Sequence, residues 1–147
     1  MSPDVTAATP WYQPVPPPPA LSGWLACSWN AVPTGRHRLV PDACLDVVWL
    51  STGELMLCGP EVSAWTFQLP PGVLAAGVRF RPGVVPVLLG VGADTLLDRR
   101  VPWASFVGVA AAESLSAALS TAATDQERLA ALHDAITTLT AAATPDP

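Results

Sequence analysis

Residues 40–49 read VPDACLDVVW, and residues 77–83 read GVRFRPG. Both stretches resemble short β-strands, yet each carries charge among apolar neighbours. Successive strand residues point to opposite faces, so Arg79 and Arg81 are expected to share one face of their strand. A buried lone charge is costly, so the two segments are predicted to be adjacent strands of one sheet.

The acidic residues of the first segment are Asp42 and Asp46, which lie four positions apart and share a face if the strand continues. Arginine presents a planar fork that suits carboxylates and phosphates, so Arg79 and Arg81 are candidate ligand-binding residues. The same four side chains can instead form structural ion pairs that pin the strands together, because the aspartates neutralise the arginines. Both interpretations remain open from the sequence.

Further strand-like runs occupy residues 24–81, and turn signals such as STG at 51–53 and PPG at 70–72 separate them. Runs this short with turns this close predict a small antiparallel β-barrel or sandwich, cupin-like in form. The helical pattern that follows makes the chain an α+β protein.

The helical part is predicted to comprise a short helix at 83–89 and longer helices at 103–123 and 125–143. Thr124 and Glu127 have the spacing of a capping box at the start of the last helix. The two long helices are expected either to form a homodimer interface or to cover one end of the sheet as a hairpin. The apolar stripe of the last helix has four members: Leu129, Leu132, Ile136 and Leu139.

The predicted organisation is a proline-rich N-terminal arm at 1–20, followed by a single regulatory domain at 21–147. Its β part covers about 21–81 and its helical part about 82–143. Four consecutive prolines in the arm favour polyproline II and supply no sheet donors. The arm is expected either to be a loose tail or to lie across the domain.

Charge and hydropathy argue against two classes of function, nucleic-acid binding and membrane insertion. The chain of 147 residues has twelve acidic residues, seven arginines and no lysine, for a net charge of -5. Nucleic-acid binding by this segment is therefore not expected, because phosphate neutralisation needs clustered cations. No apolar run is long enough to span a bilayer and no signal peptide is visible, so we expect a cytoplasmic protein without a membrane partner.

Cys27, Cys44 and Cys58 each fall in a predicted strand. Thiols on neighbouring strands can bind a soft metal or sense oxidants. Buried cysteines also serve simply as small hydrophobic residues, which is the commoner role.

Six tryptophans are many for this length. They indicate either an aromatic-lined pocket for a small hydrophobic or aromatic molecule, or plain core packing. Trp24 and Trp29 differ by an odd number, so a regular strand places them on opposite faces. The candidate lining residues are Trp24, Trp29, Trp49 and Trp65.

Catalytic patterns are missing from the sequence. Ser114, Ser116 and Ser120 lie on a predicted helix without a neighbouring base, and no P-loop or HExxH motif occurs. We therefore expect a protein that is not an enzyme and needs no cofactor.

Six short motifs follow one another along the chain: Tyr12-Gln13-Pro14, the Trp24 to Trp29 strand, Pro41 to Asp46, Gly59-Pro60, Gly77 to Gly83 and Leu88-Leu89-Gly90. In this order they resemble the N-terminal domain of AraC-like bacterial transcription regulators. The resemblance implies a domain that senses a signal or mediates assembly, and in that family a DNA-binding helix-turn-helix domain follows. The chain ends at Pro147, where that domain is expected to begin, so DNA contact is expected only through a part absent from this chain.

Three functions follow as hypotheses. The first is a ligand-sensing, dimerising regulatory domain of an AraC-like regulator. The second is a stand-alone protein that binds and sequesters a small molecule. The third is a thiol or soft-metal sensor that uses the cysteines.

Overall fold

The computed structural model describes residues 12–32, 36–39, 45–59, 65–68, 72–97 and 99–143, with the backbone alone for 36–39 and 65–68. Its strands are β1 Tyr12–Val15, β2 Leu25–Ala31, β3 Arg36–Leu39, β4 Asp46–Leu50, β5 Leu55–Cys58, β6 Trp65–Gln68, β7 Ala75–Phe80 and β8 Arg100–Pro102. Its helices are α1 Val84–Leu89, α2 Ala104–Val107, α3 Val109–Thr121 and α4 Asp125–Ala143, with 3₁₀ turns at Pro19–Leu21 and Ala93–Leu96.

Six strands form one antiparallel sheet in the order β1-β2-β7-β4-β5-β8, and β3 pairs with β6 separately. The α+β class and the antiparallel β part are therefore confirmed. The six-stranded sheet is open, with β1 and β8 at its edges, so the described strands do not close into a barrel. Each edge strand contains a proline, Pro14 in β1 and Pro102 in β8.

The pairing register divides this sheet into two faces. On the covered face, Val78 of β7 lines up with Val47 of β4, and the main hydrophobic core lies between this face and the helices. On the open face, over which none of the described helices packs, Arg79 of β7 lines up with Asp46 of β4. A smaller apolar cluster around Trp29 lies on the open face.

The helices bury their apolar stripes against the covered face. In α4, Leu129, Leu132 and Ile136 are buried and Leu139 is half-buried, and the helix crosses β2 and β7. The predicted capping box is confirmed, because the Glu127 backbone N–H donates to Thr124 Oγ1 (3.1 Å) and the Thr124 N–H donates to Glu127 Oε1 (3.0 Å). α3 packs beside α4 and buries Ala112, Leu115 and Leu119.

Three elements differ from the sequence-based expectation. The predicted helix at 103–123 is broken at Gly108, whose φ of 91° lies in a region that L side chains rarely adopt, so α2 and α3 are separate. β8 is a strand inside the predicted helical half, too short and too polar to show an alternating pattern. β1 lies in the predicted arm and pairs with β2, so the sheet begins before residue 21.

Candidate functional site

Asp46 is the centre of a polar group on the open face. Its Oδ1 accepts a hydrogen bond from Arg79 Nε (3.0 Å) and its Oδ2 accepts one from the indole Nε1 of Trp29 (2.9 Å). Arg79 comes from the adjacent strand β7, and Trp29 comes from β2 beyond it. The Asp46 side chain is 12% exposed and that of Arg79 is 32% exposed, so the ion pair can be reached from one side. The structure thus brings together one aspartate and one arginine of the four that the sequence singled out.

Gly77 explains how Trp29 reaches Asp46. The two residues are register partners in β2 and β7, and a Cβ on Gly77 would collide with Trp29 Cζ2 and lie 2.5 Å from the Val47 carbonyl oxygen. The indole ring therefore lies across the bare backbone of β7. This close approach requires glycine, which gives a physical reason for the glycine in the GVRFRPG segment.

Tyr12 and Cys27 complete the group, which we call the open-face cluster: Tyr12, Cys27, Trp29, Asp46 and Arg79. The Tyr12 ring lies 5.5 Å from the Trp29 ring, tilted by 37°. Burial, followed by the nearby Cys27 charge, raises the pKa of Tyr12 well above its usual range. Burial also raises the pKa of Cys27, more than the positive charge of Arg79 lowers it.

Arg81 lies away from this cluster. Its Nε donates to the Ser22 carbonyl oxygen (2.6 Å), and its backbone N–H donates to the Trp24 carbonyl oxygen (2.9 Å). It therefore holds the segment before β2 rather than a site shared with Arg79. Asp42, the other predicted ion-pair residue, lies outside the described residues.

The tryptophans predicted to line a pocket are divided between the two faces. Trp29 belongs to the open face, whereas Trp49 is buried in the main core and Trp24 packs against it. These three side chains therefore do not line a common pocket. The side chain of Trp65 lies outside the described part of the chain.

The cysteines are separated by the sheet. Cys27 and Cys58 occupy one register row, on strands three spacings apart, so their Cα atoms are roughly 14 Å from each other. A disulfide needs Cα atoms within about 7 Å, so these two cannot pair. Cys44 lies outside the described residues, and no group of three or more potential ligands suited to a metal ion occurs in the described ranges.

A serine–histidine contact joins the sheet to the last helix. Ser28 Oγ of β2 and His133 Nε2 of α4 are 2.6 Å apart, across 105 residues of sequence. Burial lowers the pKa of His133, although the nearby Asp134 charge acts in the opposite direction. Ser28 is fully buried, so this contact fastens the helix and does not present a nucleophile to solvent. No sequence signal connects two such distant residues.

None of the described helices is long and apolar enough to cross a membrane. No curated protein and no solved structure matches the chain. Residues 13–102 match DUF6597, a domain of unknown function. The match runs from β1 to the end of β8 and contains Cys27, Trp29, Asp46 and Arg79. Because it covers well over half of the sequence, the chain belongs to the DUF6597 family.

Proposed function

We propose that this chain is a ligand-sensing regulatory domain that binds a small aromatic molecule at the open-face cluster. One observation carries the proposal: the Asp46–Arg79 pair, the Trp29 indole and the Tyr12 ring meet on the sheet face that none of the described helices covers. Binding sites for small organic molecules typically combine apolar rings with a few polar groups that fix orientation.

The geometry favours an aromatic ligand with one polar substituent. Val48 and Leu50 are half-buried beside Trp29, so the ligand ring has aliphatic and aromatic surface to pack on. The substituent would meet the guanidinium of Arg79, which Asp46 holds in place through Nε; the Arg79 side chain is one-third exposed. An arginine orientated in this way loses little conformational freedom on binding, which favours affinity.

The regulatory role is supported by the resemblance to the N-terminal domains of AraC-like regulators. Three residues of the motifs that carry the resemblance belong to this site. Arg79 donates to Asp46, and Gly77 lies directly beneath the Trp29 ring. A cupin-like form, with the β3–β6 pair folded toward the open face, is part of this proposal. The net charge of -5 favours a role in sensing, with DNA contact made by another domain.

A binding titration tests the proposal. Thermal unfolding and tryptophan fluorescence are followed with benzoate, salicylate and indole as probes, in wild type, Arg79→Gln and Arg81→Gln. We expect at least one probe to bind, with affinity about tenfold weaker in Arg79→Gln and unchanged in Arg81→Gln, which lies outside the cluster. Failure of all three probes, or equal loss in both variants, contradicts the proposal.

Homodimerisation through the helices is a second part of the proposal. The buried stripes of α3 and α4 pack within the chain, so a dimer would use the outer side of α3, where Val109, Ala110 and Ala117 are exposed. Sedimentation velocity of wild type and Ala117→Arg tests this. We expect a dimer that the variant disrupts, and a monomer at all wild-type concentrations would contradict it.

A further inference from the structure

Two side chains of the covered face and one of α4 each contain a buried polar atom that has no hydrogen-bond partner within the described structure: Asn30 Oδ1, Trp49 Nε1 and Arg128 Nε. Asn30 is 7% exposed, Trp49 2% and Arg128 9%. Polar groups that leave water without gaining a partner destabilise a fold, and native proteins retain few of them. Three in one region therefore point to an occupant that supplies the missing bonds.

The register places these side chains around one small residue. Asn30 of β2 and Trp49 of β4 both pair with Ala76 of β7, from its two sides, so their Cα atoms are roughly 10 Å apart. Ala76 contributes a single methyl group to the middle of this row. Arg128, in the first turns of α4, brings its guanidinium carbon to 5.8 Å from the centre of the Trp49 ring. We call this group the Ala76 seam: Asn30, Ala76, Trp49 and Arg128.

We propose that the Ala76 seam binds a small hydroxyl-bearing molecule. Trp49 Nε1–H and Arg128 Nε–H are donors, and Asn30 Oδ1 is an acceptor. A hydroxyl group accepts two hydrogen bonds and donates one, so a single occupant complements all three atoms.

The side chains around the Ala76 seam disfavour an anionic ligand and favour one whose remaining part is apolar. A carboxylate has no proton to give Asn30, and Arg128 is already paired with Asp125 through Nη1 and Oδ1 (2.7 Å). Val78, the next residue of β7 on this face, and Leu129, which follows Arg128 in α4, are buried and aliphatic. A short alcohol fits this combination, and the site is separate from the open-face cluster on the other side of the sheet.

Nitrogen-15 NMR of the whole chain tests the inference, because two of the three groups carry observable N–H signals. Trp49→Phe and Arg128→Lys assign the Trp49 indole and Arg128 Nε signals. Wild type is then titrated with 1-propanol and, separately, with propionate. We expect both signals to shift together and saturably with 1-propanol, with no such shift in propionate. The Arg79→Gln variant should respond as wild type does, even if the open face proves to bind nothing.

Two further results discriminate the alternatives. Ala76→Val fills the middle of the row and should abolish the response to 1-propanol, and Asn30→Ala provides the same test if the valine variant does not fold. Cross-peaks from both N–H groups to water without any response to 1-propanol would overturn the inference in favour of a structural water. Signal shifts caused by propionate would contradict the proposal that the ligand bears a hydroxyl group. Shifts with 1-propanol that are the same in Ala76→Val and Asn30→Ala as in wild type would contradict its location at the Ala76 seam.

Discussion

The open face and the covered face of the sheet differ in how their polar side chains are paired. On the open face, Asp46 accepts from both Trp29 and Arg79, so the indole and the ion pair complete each other. On the covered face, Trp49 Nε1 and Asn30 Oδ1 are buried without a partner among the described residues. The same residue type, tryptophan, is thus fixed by a hydrogen bond on one face and by core packing with a cation–π contact on the other.

We infer from this difference that the two faces have different roles: the covered face provides stability, and the open face determines the register of the strands. Burial between helices and sheet provides most of the stability, since it removes apolar surface from water. The open-face cluster instead links β2, β7 and β4 by directional bonds that only one register satisfies. Four changes test this division, beginning with the largest expected effect.

Leu132→Ala removes a side chain that is 1% exposed between α4 and the covered face. The cavity left behind is expected to lower the free energy of unfolding by about 3 kcal/mol. Urea denaturation measures the change. Val109→Ala, at a position 65% exposed, is the control and should stay within about 0.5 kcal/mol of wild type. A small effect at Leu132 would mean that the helix is not firmly docked on the sheet.

Gly77→Ala places a methyl group where the Trp29 indole crosses β7. The overpacking should cost about 2 kcal/mol and displace the indole from Asp46, which changes the tryptophan fluorescence. Gly23→Ala is the matched control, because nothing lies within 4 Å of its added Cβ. Equal stability of the two variants would contradict the proposed crossing of the indole over β7.

Asp46→Asn keeps an oxygen that can accept from Trp29 but removes the charge that pairs with Arg79. Since the Arg79 side chain is 32% exposed and partly screened by solvent, we expect a loss of only about 1 kcal/mol. A double-mutant cycle with Arg79→Gln measures the coupling directly. Additive losses would show that the ion pair contributes nothing to stability.

The smallest expected effect concerns pH and His133. Burial lowers its folded-state pKa below the ordinary 6.5, so the unfolded chain binds the proton more readily. Stability from this residue is therefore complete above pH 6.5 and is lost as the pH falls through that value toward the folded pKa. We expect His133→Gln to reduce the stability difference between pH 7.5 and 5.5 by less than about 1 kcal/mol. If the stability difference between the two pH values is the same in His133→Gln as in wild type, His133 does not contribute to it.

Much of the fold could be predicted from sequence because its signals are local. Alternating runs and turn residues indicate the strands, and the Thr124–Glu127 pair marks the start of α4. The sequence pattern does not show the break at Gly108, because apolar residues continue at helical spacing on both sides of it. β8 was missed because three residues are too few to show a period, and their pairing with β5 is supplied by tertiary structure.

The candidate site was predicted less completely. Asp46 and Arg79 could be singled out because charge is rare in such apolar strands, and the structure brings them together. Arg81 shares the expected parity but lies past the end of β7, where it holds a backbone carbonyl instead. Ser28 and His133 carry no joint signal, because only the docking of α4 on β2 brings them into contact.

The prolines at the two margins of the sheet restrict how copies of this chain can associate. Strand addition needs an uninterrupted ladder of amide donors along an exposed edge, and Pro14 and Pro102 each remove one donor there. The edge strands are also short, with four residues in β1 and three in β8. Because the two proline nitrogens carry no hydrogen, edge-to-edge association of the open sheet into larger assemblies is disfavoured.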